Sequence, residues 1–295
     1  MTIENFLTTA GKGFIEPLPY LVVLAALLLL YKVLHDWITP YDDRAFMAEG
    51  NKAVAITRAG AYLGVAIAAI GSLISGDEQP YWLNVGTFVI DGIIAIFVMT
   101  TAVFLFDRVI IRKVKNSERI VEGNVAVGLM EACAYISMGL ITSASFSGGG
   151  LPFWQGILSA ILFSFVGMAT LAVIYLTYCL FWRQFKQCDV DSQIGRGNLA
   201  AAIDAGTLLI AMSITLWFSI SGDFTGWGTD LGAYALAVLS STLVVPVGRV
   251  VVGYYLTAGL QTTTCDSHHR SVARSLIVGF VSIAIGLMLG LIQFM

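Results

Sequence analysis

Among the ionisable side chains inside stretches that are otherwise apolar are Arg58, Asp91, Glu131, Asp204, Arg249 and Arg274. Three are basic and three acidic, so their formal charges cancel. At the centre of a membrane-spanning helix an arginine or aspartate costs roughly 2.5–3.5 kcal/mol even on the lenient insertion scale. Such residues therefore turn to a partner, to water or to the protein interior. The chemistry open to them is ion pairing, and the holding or passing of a proton or small cation by a carboxylate. Counted at the helical rise, Arg58, Glu131, Asp204 and Arg249 lie roughly 8–10 Å beneath one boundary, and Arg274 about one turn beneath it. Asp91 lies about 13 Å from the opposite face. No basic residue shares its depth, which makes it the acceptor candidate for a proton or cation. A structural network of ion pairs is the leading reading of these charges; Arg249 and Arg274, long and near helix ends, are the ones best placed to snorkel toward the headgroups instead.

The elements that must position these residues follow from composition. Of 295 residues 57% are hydrophobic and 12% charged, about half the charge a soluble domain carries. Most of the surface must then face lipid. Eight apolar runs are long enough to cross about 30 Å of hydrocarbon, near 18–38, 53–75, 82–106, 125–147, 152–182, 199–220, 231–256 and 272–294. Uninterrupted runs are helices, because lipid offers the backbone no partner outside the segment. The fold class is thus an all-α integral membrane protein of eight transmembrane helices. The first run lacks a basic start and a cleavage site, so it reads as a retained span. The net charge of −3 offers nothing to nucleic acid.

Loop charges orient the spans. Arg44 and Lys52 follow span one, and Arg108, Arg112, Lys113, Lys115 and Arg119 follow span three. Arg183, Lys186 and Arg196 follow span five, and Arg270 follows span seven. The other side carries only Lys12, against Asp77, Glu78 and Asp223. Lysine and arginine mark the cytoplasmic loops, so both termini are expected outside.

A repeat organises the chain. Arg58, Glu131, Asp204 and Arg274 are separated by 73, 73 and 70 residues. Trp82, Trp154 and Trp227 recur at 72 and 73, and Asn51, Asn124 and Asn198 at 73 and 74. Glu49-Gly50-Asn51, Glu122-Gly123-Asn124 and Arg196-Gly197-Asn198 each open an alanine-rich helix, which marks the three asparagines as a helix-opening motif. A fixed period with independent markers is a repeat signal. The unit is a hairpin of two spans, so its four copies run parallel, in two halves at 1–147 and 148–295. The halves are expected to be related by a pseudo-two-fold axis along the membrane normal. That rotation would set Arg58 against the place of Asp204, and Glu131 against that of Arg274. Opposite charges would then meet at a polar interface between the halves.

The doubled four-helix unit with its Gly50-Asn51, Gly123-Asn124 and Gly197-Asn198 openings resembles the bacterial YjfL-like inner-membrane family. That family is a domain of unknown function found in single and tandem copies. The resemblance implies inner-membrane location and tandem architecture, and an envelope-stress setting; it brings no catalytic residues. The fourth unit departs from it, with Ser267-His268-His269 where Gly-Asn is expected.

Remaining motifs carry less. Gly60-x-x-x-Gly64 and Gly286-x-x-x-Gly290 permit close helix contact, chiefly within the chain and secondarily in a homo-oligomer. Pro246 interrupts span seven just before Arg249. Cys133, Cys179, Cys188 and Cys265 all fall in spans or on the basic side, where disulfides are not expected. Cys265, Asp266, His268 and His269 match no metal-site spacing. No nucleophile–base pair and no nucleotide loop is legible, so neither an enzyme, a cofactor nor a metal site is assigned. Two functions remain: a proton or small-cation channel or transporter using the embedded charges, or a non-transporting scaffold that recruits a cytoplasmic partner through Arg108–Arg119.

Overall fold

The computed structural model describes residues 13, 15–39, 41–74, 80–109, 116–257 and 269–294. Eight long helices and three short ones account for nearly all of them. The long ones are α1 (Pro17–Ile38), α3 (Lys52–Ile74), α4 (Tyr81–Val109), α6 (Val125–Phe146), α7 (Phe153–Lys186), α9 (Leu199–Ile220), α10 (Trp227–Leu256) and α11 (His269–Phe294). All eight are long and apolar enough to cross a membrane. The short ones are α2 (Asp43–Ala48), α5 (Asn116–Val121) and α8 (Val190–Gly195), each of 6 residues. There is no strand among the described residues.

Helix α10 begins at Trp227, earlier than the apolar run implies. Asp230, one residue before that run, sits in the first turn and closes it. Its carboxylate accepts from the Thr225 hydroxyl at 2.6 Å and from the Thr225 and Gly226 N–H groups at 3.3 and 3.4 Å. Carboxylates favour that end of a helix because they meet its orphan donors and the positive end of its dipole.

The short helices escape a hydropathy reading because they are too short and too polar to register as spans. Asp42 caps α2 by accepting from Arg44 N–H at 2.9 Å, and Asp189 caps α8 by accepting from Ser192 N–H at 3.5 Å. Each short helix ends in a glycine with φ of +84° to +86° (Gly50, Gly123 and Gly197), followed at once by the asparagine that starts a long helix. A left-handed residue there reverses the chain in the least length, and glycine adopts it without a Cβ penalty.

Those asparagines do two jobs. The side-chain oxygen of Asn51 accepts from Ala53 and Val54 N–H at 3.0 and 3.2 Å, and that of Asn124 from Ala126 and Val127 at 3.1 and 3.2 Å. Their side-chain N–H groups reach the next repeat. Asn51 donates to the Ile120 and Val121 carbonyls closing α5, at 3.0 and 2.9 Å. Asn124 donates to the Ile194 and Gly195 carbonyls closing α8, at 3.4 and 2.9 Å. One side chain thus satisfies orphan donors of its own helix and orphan acceptors of the next unit. Asn198 caps α9 through Ala201 N–H at 3.2 Å and donates to Gln193 at 3.2 Å. The Ser267-His268 portion of the fourth opening lies outside the described residues.

The long helices that open each repeat form an inner row: α3 on α6, α6 on α9, α9 on α11 are the three most extensive helix contacts. Small residues let their backbones approach. A Cβ on Gly64 would lie 2.5 Å from the Tyr135 carbonyl oxygen, one on Gly128 2.7 Å from that of Ala53, and one on Gly286 2.5 Å from that of Ala211. Both small-residue motifs are therefore spent inside the chain. Burial follows the row: 72% of the α6 span and 78% of the α9 span are buried, against 11% for α1 and 22% for α10. The core lies on α6 and α9, and α1 and α10 face lipid.

This row corrects the expected two-fold relation of the halves. A two-fold axis would map the α6–α9 contact onto an equally broad α3–α11 contact, and no such contact is found among the described residues. The first two openings instead reach forward through Asn51 and Asn124, and α3, α6, α9 and α11 follow one another side by side in a row.

Candidate functional site

On the short-helix side two separate ion clusters are buried. In the first half Arg58 of α3 is 4% exposed. It donates to Asp36 of α1 at 2.8 Å and pairs with Asp43 of α2, itself buried. Asp36 also takes Lys32, one turn earlier on α1, at 2.6 Å. Beside this cluster His35 Nε2 lies 3.4 Å from the Tyr135 hydroxyl of α6.

In the second half Asp204 of α9 pairs with Arg249 of α10, both buried. The Arg249 guanidinium also donates to the Asp204 carbonyl at 3.0 Å and lies 5.9 Å from the centre of the Tyr178 ring. The Tyr178 hydroxyl of α7 donates to the Asp204 carboxylate at 3.0 Å. One turn of chain away, the Tyr175 hydroxyl donates to Asp191 of α8 at 2.7 Å.

These pairings differ from the expected meeting of Arg58 with Asp204. Arg58 takes its partners from α1 and α2, and Asp204 meets Arg249 of α10 and Tyr178 of α7, so the two do not pair with each other. The reason is the open row, which leaves α3 and α9 on opposite sides of α6. Arg249 does not snorkel; a carboxylate within the bundle competes successfully with the headgroup region for its guanidinium. Glu131 and Arg274 are half-buried, on α6 and α11.

Asp36 and Asp43 escape sequence reasoning. The available signals are a lysine and aspartate one turn apart inside an apolar run, and the recurrence of acids eight and seven residues before Asn51 and Asn198, as Asp43 and Asp191.

Asp91 belongs to neither cluster. From the N-terminal end of α4 it lies ten residues in, about 15 Å, whereas Arg249 lies 22 residues along α10, about 33 Å. It lines a cavity of about 690 Å³ at the end of the bundle opposite the short helices. Both halves build this cavity: Tyr20 of α1, Ser72 of α3 and Asn84, Thr87 and Asp91 of α4 from the first, the starts of α7 and α10 and the end of α9 from the second. Asp91 is 8% exposed and has no hydrogen-bond or ion-pair partner among the described residues. No lysine, arginine or histidine lines the cavity among those residues. One and two turns beyond Asp91, Ala95, Ile96, Val98 and Met99 are each no more than 1% exposed. An apolar layer on α4 therefore separates the cavity from the inner clusters.

Four further expectations fall elsewhere. Lys12, Arg112, Lys113 and Lys115, together with Cys265, Asp266 and His268, lie outside the described residues. Of the basic loop, Arg119 is exposed and pairs with Glu122 at 2.9 Å. Cys133 and Cys179 are free. Cys188 is disulfide-bonded, which corrects the expectation of free thiols: compartment governs whether a bridge persists, not whether two sulfurs lie within reach.

Among known proteins, no solved structure matches the chain. It is 22% identical over 245 residues to the UPF0719 transmembrane protein of Aquifex aeolicus (strain VF5), covering 82% of this chain and 86% of that one. The family described as Domain of Unknown Function (DUF350) matches residues 9–146 and again residues 152–292. Eight apolar helices built from repeated hairpins, matched twice along their length, make this chain a tandem member of the DUF350 family of multi-pass transmembrane proteins.

Proposed function

We propose that this chain is a protein of the bacterial inner membrane, with both termini outside, that accepts a proton or small cation from the outer side for translocation. The narrower likeness to YjfL-like proteins, carried by the Gly-Asn openings, agrees with that setting. One observation carries the reading: among the described residues, Asp91 is a buried carboxylate without a protein partner, on the wall of a cavity lined by no basic residue. A carboxylate is costly to bury unpaired, and a site that retains one beside an open cavity is suited to a mobile positive charge. Asp204 and Arg58 are poorer carriers, because each already has its counter-ion in the fold. The apolar layer under Asp91 closes the path, so translocation requires a second arrangement of α4 against α6 and α7.

The test is flux into liposomes holding the purified chain, with a pH- or cation-sensitive dye inside. Wild-type flux that falls at least severalfold in Asp91→Asn, at unchanged folding, is the expected result. Equal flux in the variant removes Asp91 as the carrier.

A second reading is a non-transporting scaffold in which the buried ion pairs hold helices together and the Arg108–Arg119 segment recruits a cytoplasmic partner. The counter-ions that Arg58 and Asp204 find within their own halves favour it. Absence of flux in the wild-type chain, with capture of a partner lost on reversing Arg119 and its basic neighbours, decides for it. Homo-oligomers remain compatible with either reading, through the lipid-facing α1 or α10.

A further inference from the structure

Resting on that reading of the cavity, we infer that the ligand received at Asp91 is a primary or secondary organic ammonium rather than a bare metal ion. Volume is the first ground. About 690 Å³ falls within the range of small-molecule sites, roughly 300–1,000 Å³, and would hold a naked ion only loosely.

The carboxylate count is the second. Asp223 and Asp230 also line the cavity, but both are less buried than Asp91 and serve to hold loop groups in place. Asp223 accepts from Gly149 N–H at 3.1 Å, and Asp230 from Thr225 and Gly226. A divalent cation seeks six or more oxygens, several of them from carboxylates. Among the described residues Asp91 is the one buried carboxylate of the lining, and it balances one positive charge.

The third ground is the polarity of the lining. The hydroxyls of Ser72, Thr87, Ser145, Ser219 and Ser221 each donate to a carbonyl of their own helix, at 2.7–3.1 Å. Their hydrogens are spent, and what they offer the cavity is oxygen lone pairs. These acceptor oxygens, beside the Tyr20 hydroxyl and the Asn84 amide and around a buried carboxylate, suit a ligand that brings both charge and N–H donors. Aromatic faces of Phe146, Phe163 and Phe224 complete the wall; they suit an alkyl chain and attract a cation.

The experiment is equilibrium binding to the full chain in nanodiscs, by calorimetry and by ligand-dependent thermal shift. The probes are n-butylammonium, tetramethylammonium, sodium, magnesium and the neutral n-butanol. Saturable binding of butylammonium is expected, tighter than that of tetramethylammonium, sodium or magnesium and absent for butanol. Asp91→Asn should weaken it about tenfold or more, while Asp91→Glu retains it. Gly86→Leu provides a variant that spares the carboxylate. Gly86 lines the cavity, and a Cβ there meets nothing within 4 Å. The bulk should fill the cavity and abolish binding in a folded chain.

Tetramethylammonium or a metal ion binding as tightly as butylammonium overturns the inference, as does undiminished binding in Asp91→Asn or Gly86→Leu. Proton or sodium flux without butylammonium binding leaves translocation standing and defeats this ligand class. Butylammonium binding without flux does the reverse.

Discussion

Arg249 grips Asp204 twice, through the carboxylate and through the main-chain carbonyl at 3.0 Å. The second contact ties α10 to the α9 backbone itself, so the arginine acts as a clamp between a lipid-facing helix and the core. Tyr178 donates to the same carboxylate at 3.0 Å, bringing α7 into the joint.

Removing one member should therefore cost more than removing the charge from both. Arg249→Met leaves Asp204 buried against Tyr178 with its counter-ion gone, and should destabilise the fold by about 3 kcal/mol. Adding Asp204→Asn restores neutrality while keeping an acceptor for Tyr178, and should recover most of that loss. Unfolding in detergent monitored by tryptophan fluorescence measures both. A double variant no better than the single one would show that the clamp's main-chain bond, rather than its charge, carries the stability.

Asn124 invites the same treatment. Alanine there removes the cap of α6 and both bonds to the end of α8. A lost cap alone costs about 1 kcal/mol, and the stitched carbonyls add their own penalty. Asn124→Ala should thus lower stability by about 2 kcal/mol. Asn124→Asp keeps the cap and loses the donors, so it should fall between. Equal losses in the two variants would assign the whole effect to the stitch.

The spans and the asparagine repeat are legible in the sequence because each depends on a local property: twenty apolar residues in a row, or one residue type at a fixed period. The isolation of Asp91 is legible for a similar reason, since counting along α4 places it away from every base. The partners of Arg58 and Arg249 are not legible. They depend on whether the repeats close around an axis or extend in a row, and that choice is made by glycine faces such as Gly64 against Tyr135. Helix α2 is hidden too, and with it Asp43, because six residues between two spans carry no hydropathy signal.

Gly139 tests the packing of the row. A Cβ at this position would lie 2.8 Å from the Gly64 Cα, so one of two backbones must move. Gly139→Ala should destabilise the chain by about 1–3 kcal/mol, although alanine is the better helix former. Gly156→Ala is the control, because a Cβ there meets nothing within 4 Å and the substitution should be neutral or stabilising. Thermal unfolding of the two variants side by side gives the comparison, and equal midpoints would mean that α3 and α6 are held apart from this contact.

Orientation decides which compartment the cavity serves, and two exposed positions at opposite ends of the bundle can report it. Thr225, beside the cavity, and Glu49, after α2, are both exposed. Basic loops stay on the cytoplasmic side because translocating lysine and arginine is disfavoured. In intact cells, Thr225→Cys should therefore react with a membrane-impermeant maleimide, and Glu49→Cys only after permeabilisation. The unsubstituted chain sets the background from its own cysteines. The opposite pattern would turn the Asp91 cavity toward the cytoplasm, making it a site loaded from inside, and the ligand would then be drawn from the cell's own amines rather than from the medium.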